Sequence, residues 1–336
     1  MRHFSRTICM EGRLLEKILI LCITGILLIY MTNTGMGLET HKKTVKSHVT
    51  KGIGAWIYGQ SMRFVNEINA YNKSIKNPDM KIRYLFCYAG SVESGTLVGY
   101  DSTIVPYYKQ KLPDCRVYPN IDGYPSINGL SKEQIQSLAR QIADKINSDD
   151  AIAGLHLDIE PYEPTQLELM EEFKKYSSKP VNLSVSREAL LDPKLFQLTN
   201  FVVLMNYDFS PDPAKYTSIA QDAIENILEA ANQYTGKVMI GLPFIATHHE
   251  YQYMVKKTNI RDRKESGFTM ADYLAGGLKD CKRATRKLGQ RNFVGISIWA
   301  FLPEEEPVGS YPKSGLNWYY PVSIGLSEWQ QLKDWK

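Results

Sequence analysis

Short apolar segments alternate with amphipathic helical segments along most of this chain, and this alternation limits its fold more than any other feature. Short apolar runs are typical of buried strands, whereas apolar residues at intervals of three and four positions are typical of helices packed on a sheet. Strands that alternate with helices pair in parallel through crossover connections. With eight such strands between residues 52 and 301, the pattern predicts an α/β fold, a (β/α)8 TIM barrel.

The elements can be placed on the sequence from this spacing. The predicted strands are Gly52–Tyr58, Lys81–Tyr88, Cys115–Ile121, Ile152–Glu160, Val181–Ser186, Phe201–Tyr207, Val238–Phe244 and Phe293–Phe301. The predicted helices are Met62–Ile75, Ser131–Ile146, Thr165–Tyr176, Ala214–Tyr234 and Met270–Leu288. An open doubly wound sheet is the competing arrangement, but it would carry a glycine-rich phosphate turn after an early strand, and none is visible.

The N-terminal residues have the features of a targeting segment. Ile18–Met31 is an almost unbroken apolar run after several Arg and Lys residues. At roughly 1.5 Å per helical residue, the run is shorter than the roughly 30 Å hydrocarbon core of a bilayer. It predicts a signal peptide over 1–37 that is cleaved near Leu38, with an uncleaved membrane anchor as the alternative. We therefore expect an exported protein, secreted or in the cell envelope, with a polar linker over 38–51 and the barrel over 52–336.

The net charge and the cysteines of the chain indicate which ligands and partners are not expected. The net charge of +4 over 336 residues gives no case for nucleic-acid binding. Two of the five cysteines lie in the targeting segment, and Cys87, Cys115 and Cys281 lack the spacing of metal ligands. We expect buried thiols, no metal and no cofactor, in a monomer that contacts a membrane only through its N-terminal segment.

The segment Gly154–Glu160, Gly-Leu-His-Leu-Asp-Ile-Glu, concentrates ionisable residues in one predicted strand. Alternate side chains of a strand share a face, so His156, Asp158 and Glu160 are expected to point the same way. Two neighbouring carboxylates do not ionise independently, which is one way to keep a carboxylic acid protonated at neutral pH. The alternative is a structural cluster paired with Arg or Lys.

Polar and aromatic residues also end three other predicted strands. Ser184 and Ser186 end the fifth, Tyr207 and Asp208 the sixth, and Trp299 lies near the end of the eighth. Because the active sites of TIM barrels lie at the carboxyl ends of the strands, these residues predict a functional site there.

Four segments resemble the signatures of the family-18 glycoside hydrolases, the chitinases and their relatives. That family's fourth-strand signature, Asp-Gly-x-Asp-x-Asp-x-Glu, corresponds to residues 153–160, with Ala153 and His156 in place of its first two Asp residues. The other matches are Met-x-Tyr-Asp at Met205–Asp208, Gly-x-Pro-Phe at Gly241–Phe244 and a strand-end Trp at Trp299. The chain is thus identified as a divergent member of the family, over about residues 52–301.

The resemblance implies hydrolysis of β-linked N-acetylhexosamine glycans, chitin-like or peptidoglycan-like, by substrate-assisted catalysis. Glu160 would be the general acid, and Asp158 would raise its pKa and orient the acetamide of the substrate. Tyr207 would hydrogen-bond to the acetamide carbonyl. The candidate substrate-binding residues are Asp208, His156, Trp299, Met205, Trp56 and Tyr88.

His156 allows two interpretations. A neutral imidazole would hydrogen-bond to Asp158, whereas a charged one would keep Asp158 ionised and lower the pKa of Glu160.

Three other functions stay open. Glu188 could act as nucleophile or base with Glu160 as acid, although it could instead open the next helix. A catalytically silent, lectin-like barrel would bind glycans without cleaving them. A cell-envelope scaffold would have no sugar site.

Overall fold

The barrel lies in the part of the chain that the computed structural model describes, residues 49–123, 127–189, 191–207, 213–244, 270–301 and 326–335. Side chains are described throughout these ranges except at 213–217, 270, 272–273 and 326–327. The predicted targeting segment and most of the predicted linker lie outside the described residues.

Eight parallel strands close into a barrel, which confirms the predicted (β/α)8 fold. The barrel strands are β1 (Ile53–Ile57), β2 (Ile82–Glu93), β4 (Arg116–Gly123), β5 (Leu155–Ile159), β6 (Val181–Val185), β7 (Phe201–Met205), β8 (Val238–Pro243) and β9 (Phe293–Phe301). A ninth, short strand, β3 (Thr96–Val98), pairs antiparallel with the end of β2 outside the barrel. The order of the strands around the barrel is β1-β2-β4-β5-β6-β7-β8-β9, and β9 pairs with β1 to close it. All eight predicted strands are present.

Helices cover the outside of the barrel. They are α1 (Met62–Ser74), α2 (Ile104–Lys111), α3 (Lys132–Asn147), α4 (Thr165–Tyr176), α5 (Pro193–Leu198), α6 (Pro213–Gln233), α7 (Met270–Leu288) and α8 (Leu326–Asp334), with a short 3₁₀ helix at Pro78–Met80. The five predicted helices are confirmed to within one residue at each end. Ser131 caps α3 through a capping box with Gln134. The sequence pattern missed α2, α5 and α8, which are too short to show a clear helical period.

The strands separate two apolar cores. Between strands and helices the core is largely aliphatic, and Leu155, Leu157 and Ile159 of β5 all pack there. Inside the barrel the core is largely aromatic, with Trp56, Tyr84, Phe86, Tyr118, Phe201, Val203, Met239 and Val294. Gly54 makes room for these large side chains, because a Cβ there would lie 2.8 Å from both Phe86 Cε2 and Met239 Sδ. The interior below the mouth, meaning the carboxyl ends of the parallel strands, is therefore a packed core rather than a channel.

A hairpin extends one side of the mouth beyond the sequence prediction. β2 continues past Tyr88 to Glu93, and β3 pairs antiparallel with its end. The turn between them is Ser94-Gly95, whose φ angles of 49° and 78° suit a two-residue hairpin turn. The pairing of β2 with β4 is irregular between Tyr88 and Gly90. A bulge of this kind redirects side chains, and here it turns both Tyr88 and Ser91 towards the mouth.

The cysteine prediction is confirmed for the described residues, where Cys87, Cys115 and Cys281 are buried free thiols. Within the described ranges, no helix is both long and apolar enough to cross a membrane.

Candidate active site

The three ionisable residues on or just after β5 differ in their exposure to solvent. His156 is 0% exposed, Asp158 is half-buried, and Glu160 is exposed one residue beyond the strand end. Strand alternation turns His156 and Asp158 into the barrel, as predicted. Only Asp158 and Glu160 reach the mouth, and His156 lies below them.

His156 is held inside the aromatic core as a neutral ring. It stacks on Phe86 with ring centroids 4.2 Å apart and meets the edge of Trp56 at 5.9 Å. Its Nε2 lies 2.8 Å from Ser184 Oγ, and its Nδ1 is buried without a partner. Burial lowers the pKa of His156 from 6.5 to about 3, so the interpretation as a charged imidazole is wrong. The expected hydrogen bond to Asp158 is also replaced, because Ser184 is the partner.

Asp158 is partly satisfied by its neighbours. Asn120 Nδ2 donates to Asp158 Oδ2 at 3.4 Å, whereas Asp158 Oδ1 is buried and has no partner. Burial raises the pKa of the Asp158 carboxyl, and hydrogen bonds from Ser184 and Asn120 oppose that rise. The unpartnered oxygen is an acceptor that a neighbouring acid could satisfy.

A second carboxyl beside Asp158 was missed by the sequence analysis. Asp122, near the end of β4, is the cross-strand partner of Asp158 and accepts a hydrogen bond from Ser91. Burial, together with the charge of Asp158, raises the pKa of Asp122 to about 6, against the lowering effect of Ser91. The predicted strand stopped at Ile121, one residue before Asp122 and two before the observed end of β4, so a carboxylate near a strand end was the signal that could have identified it.

Four aromatic residues line the other side of the mouth, and we call Tyr88, Tyr58, Trp299 and Tyr207 the aromatic arc. Tyr88 and Tyr58 stack at 5.9 Å, and Tyr207 and Trp299 stack at 5.2 Å. Trp299 Nε1 donates to the hydroxyl of Tyr58 at 3.2 Å, which joins the two pairs. Gly241 gives Tyr207 its place, since a Cβ there would lie 3.2 Å from the tyrosine ring. The arc extends from β2 through β1 and β9 to β7.

The backbone around Glu160 is fixed from two sides. Its N–H donates to the carbonyl oxygen of Gly123 at 2.9 Å, which ties it to the end of β4. Gln166 of α4, 0% exposed, donates to the carbonyl oxygens of Ile159 at 2.7 Å and Pro161 at 3.2 Å. The exposed carboxyl of Glu160 is thus carried on a segment whose path is set by buried hydrogen bonds.

The remaining predicted site residues occupy different positions. Trp56 is 0% exposed in the inner core, where it is not open to a ligand at the mouth, and Met205 at the end of β7 is 9% exposed. Asp208 lies outside the described residues. Glu188 is an exposed turn residue paired with Arg187, and the next helix begins at Pro193, so it does not open that helix. In the portion of the chain with described side chains, no group of three potential metal ligands occurs.

The buried imidazole makes stability depend on pH. The unfolded chain takes up a proton at His156 below pH 6.5, and the folded chain does so only near pH 3, so stability falls as pH drops between those values. At pH 4.5 the loss from this residue should reach about 2 to 3 kcal/mol relative to pH 7.5, at about 1.4 kcal/mol per unit. Urea unfolding of the wild type and of His156→Gln at both pH values measures it, and the difference between the proteins removes the opposite contribution of Asp122. An equal pH dependence in both proteins would show that the imidazole is not buried as a neutral ring.

Comparisons with known proteins bear on the fold. No protein-family model matches the chain, and no curated protein matches it either. Among solved structures, a GH113 β-1,4-mannanase is similar with a TM-score of 0.51 and 12% identity, over 85% of this chain and 99% of the mannanase. The spore cortex-lytic enzyme of Bacillus megaterium has a TM-score of 0.48 and 12% identity, over 85% of this chain and 74% of that one. A chitinase of Chromobacterium violaceum has a TM-score of 0.47 and 11% identity, over 84% of this chain and 98% of that one. At 12% identity, the likeness to the mannanase shows the fold alone, a (β/α)8 barrel.

Proposed function

We propose that this protein is an exported glycoside hydrolase that cleaves β-linked N-acetylhexosamine glycans of the chitin or peptidoglycan type. One observation carries the proposal. The half-buried Asp158 and the exposed Glu160 lie together at the carboxyl end of β5, opposite the aromatic arc. A carboxyl pair at the mouth of a barrel, facing aromatic rings, is suited to protonating a glycosidic oxygen while a sugar packs against the rings.

Glu160 is the proposed general acid. It is the exposed member of the pair, so its carboxyl can reach the glycosidic oxygen of a polymer lying across the mouth. Cleavage requires a proton on the leaving oxygen as the bond to the anomeric carbon breaks. The fixed backbone at Gly123 and Pro161 supplies the positioning that proton transfer needs.

Asp158 and Tyr207 are proposed to hold the acetamide of the substrate. The acetamide oxygen attacks the anomeric carbon while the leaving sugar takes the proton of Glu160, and water later opens the cyclic intermediate and returns a proton to Glu160. The half-buried carboxyl of Asp158 lies at the end of β5, where it is placed to accept the acetamide N–H and so turn the acetamide oxygen towards the anomeric carbon. The hydroxyl of Tyr207 would bond to that oxygen, and Trp299 with Tyr88 would form the wall of the subsite. Within this scheme, Trp56 and His156 act as support beneath the site, because neither is exposed.

Removal of one hydroxyl tests the role of Tyr207. Tyr207→Phe keeps the ring that stacks on Trp299, so the melting temperature should change little. The turnover number should fall about tenfold, the value of one hydrogen bond made more strongly in the transition state. Steady-state kinetics and thermal unfolding measure the two effects. Full turnover in this variant would exclude an acetamide contact by Tyr207.

The class of substrate can be tested by measuring which of several glycans the protein hydrolyses. Protein comprising residues 38–336 is incubated with chitooligosaccharides, peptidoglycan fragments and β-1,4-mannooligosaccharides, and the products are separated by chromatography. Cleavage of N-acetylated glycans alone is expected, because only these carry the acetamide nucleophile. Cleavage of the mannan series would contradict the substrate-assisted mechanism, and binding without products would indicate a lectin-like barrel.

Export is proposed from the apolar run at Ile18–Met31 and its basic flank. N-terminal sequencing of the protein recovered outside the cytoplasm tests it. A mature chain that begins near Leu38 is expected, whereas one that begins at Met1 would indicate an anchor.

A further inference from the structure

Asp122 and Asp158 face each other across two neighbouring parallel strands. They are register partners between β4 and β5, and Ser91 on β2 is the register partner of Asp122 on its other side. Register partners on adjacent strands place their side chains on the same face, here the inner face at the mouth. The two carboxyls are thus neighbours by strand pairing.

The hydrogen bond from Ser91 occupies one carboxyl oxygen of Asp122 and leaves the other able to carry a proton. Ser91 Oγ donates to Asp122 Oδ1 and therefore receives its own hydrogen bond from the hydroxyl of Tyr88, 2.9 Å away. This chain of donors holds Asp122 from the side of β2. Its second oxygen, Oδ2, remains to carry a proton.

One carboxyl oxygen of Asp158 lacks a hydrogen-bond donor. Asp158 Oδ1 is buried and unpartnered, and the amide of Asn120, 1% exposed, reaches only Oδ2. Asn120 Oδ1 is also buried without a partner, so two neighbouring oxygens lack a hydrogen-bond donor. A protonated carboxyl beside them would donate a hydrogen bond to one of these oxygens.

Charges around the pair reinforce this arrangement. At the mouth end of the flanking strands, the titratable groups are Tyr88 and Glu93 on β2, and Asp158 and Glu160 on or just after β5, with the buried His156 below them. The other titratable groups of β2, Arg83, Tyr84 and Cys87, lie nearer its opposite end. Among the described residues, no lysine or arginine forms a salt bridge with Asp122 or Asp158. Two adjacent carboxylates without a cation repel each other, and one shared proton removes that repulsion.

We propose that Asp122 is a positioning residue that shares one proton with Asp158 across the two strands and thereby fixes the orientation of the Asp158 carboxyl towards the substrate acetamide. The inference rests on the proposed function and deepens it. The raised pKa values of both carboxyls agree with such a pair. His156, which shares the inner face of β5 with Asp158, is buried and neutral, so the carboxyl next to Asp158 comes from the neighbouring strand β4.

Kinetics of two variants test the positioning role. Asp122→Asn always offers an N–H to Asp158, so its turnover number should stay within about threefold of the wild type at pH 5.5. Its alkaline loss of activity should move up by about one pH unit, since a carboxyl no longer ionises beside Asp158. Asp122→Ala should lower the turnover number about tenfold or more, with the Michaelis constant changed less than about threefold. A side chain that serves stability alone would leave the shape of the pH profile unchanged, and superimposable profiles for the wild type and Asp122→Asn would overturn the proposal.

A second readout is independent of activity. Carbon-13 NMR of protein labelled at aspartate carboxyl carbons follows Asp158 through a pH titration, and Asp158→Asn assigns its signal. The Asp158 midpoint should shift downward in Asp122→Asn, because the negative neighbour is replaced by a neutral donor. Glu93→Gln is the matched control, since it removes a charge from the same hairpin and should shift neither readout. An unchanged Asp158 midpoint in Asp122→Asn would overturn the shared proton even if Asp122→Ala fails to fold. A wild-type protein that titrates as expected but cleaves no glycan would instead refute the proposed function.

Discussion

Replacement of Glu160 by Gln is expected to lower the turnover number on the preferred glycan by about 10³-fold, within the range for loss of a general acid. The amide is nearly isosteric and cannot deliver a proton to the leaving oxygen. Binding should persist, because the aromatic arc, Asp158 and the fixed backbone at Gly123 remain in place. Calorimetric titration with a chitooligosaccharide measures binding, and product formation measures turnover.

The identity of the leaving group makes this test specific for acid catalysis. A 4-nitrophenyl glycoside releases a weakly basic phenolate that needs little protonation, so the same variant should lose far less activity on it. Glu188→Gln is the matched control. It removes an exposed carboxyl that is paired with Arg187 three residues beyond the end of β6, and it should retain full activity. Equal losses of activity on both substrates would show that Glu160 is not the general acid. An inactive Glu188→Gln variant would instead support the two-carboxylate mechanism.

The fold could be predicted because each of its elements shows its own period in the sequence. β7 is buried along its whole length, as parallel strands covered on both faces are, and it reads as a continuous apolar run. α4 and α7 carry apolar residues on one side only, which determined their bounds to the residue. The extension of β2 was missed, because a bulge after Tyr88 interrupts the alternation that marks a strand.

The site could be predicted along each strand but not across strands. Alternation placed Asp158 on the inner face of β5 from the sequence alone. The pairing of Asp158 with Asp122 depends on the register between β4 and β5, which no local pattern in either strand encodes. The depth of each side chain in the barrel could not be predicted from the sequence either. His156 and Glu160 share the parity of one strand, yet one is enclosed and the other exposed, because depth depends on where the strand crosses the barrel.

Because position 156 is buried, we expect a large loss of stability in His156→Asp. This substitution introduces the Asp that the resembled fourth-strand signature has at this position. The residue would place a charge where His156 now has Phe86 against its face and Ser184 as its hydrogen-bond partner. An uncompensated buried charge destabilises a protein by about 3 to 5 kcal/mol. We therefore expect a loss of that size in the free energy of unfolding at pH 7.5, and no gain in turnover.

The pH dependence of this loss separates buried charge from poor packing. A buried carboxyl has a raised pKa and is protonated in the folded state at low pH, so His156→Asp should recover stability as pH falls. The wild type does the opposite between pH 6.5 and about 3, because its imidazole stays neutral when folded. The difference in unfolding free energy between the two proteins should therefore shrink by at least about 2 kcal/mol from pH 7.5 to pH 4.5, as urea unfolding can measure. His156→Asn is the control, since it is similar in size to the aspartate and neutral at both pH values. A loss in His156→Asp that matches the loss in His156→Asn at both pH values would assign the effect to packing. A rise in turnover would show that a carboxyl at position 156 supports catalysis and would contradict our expectation.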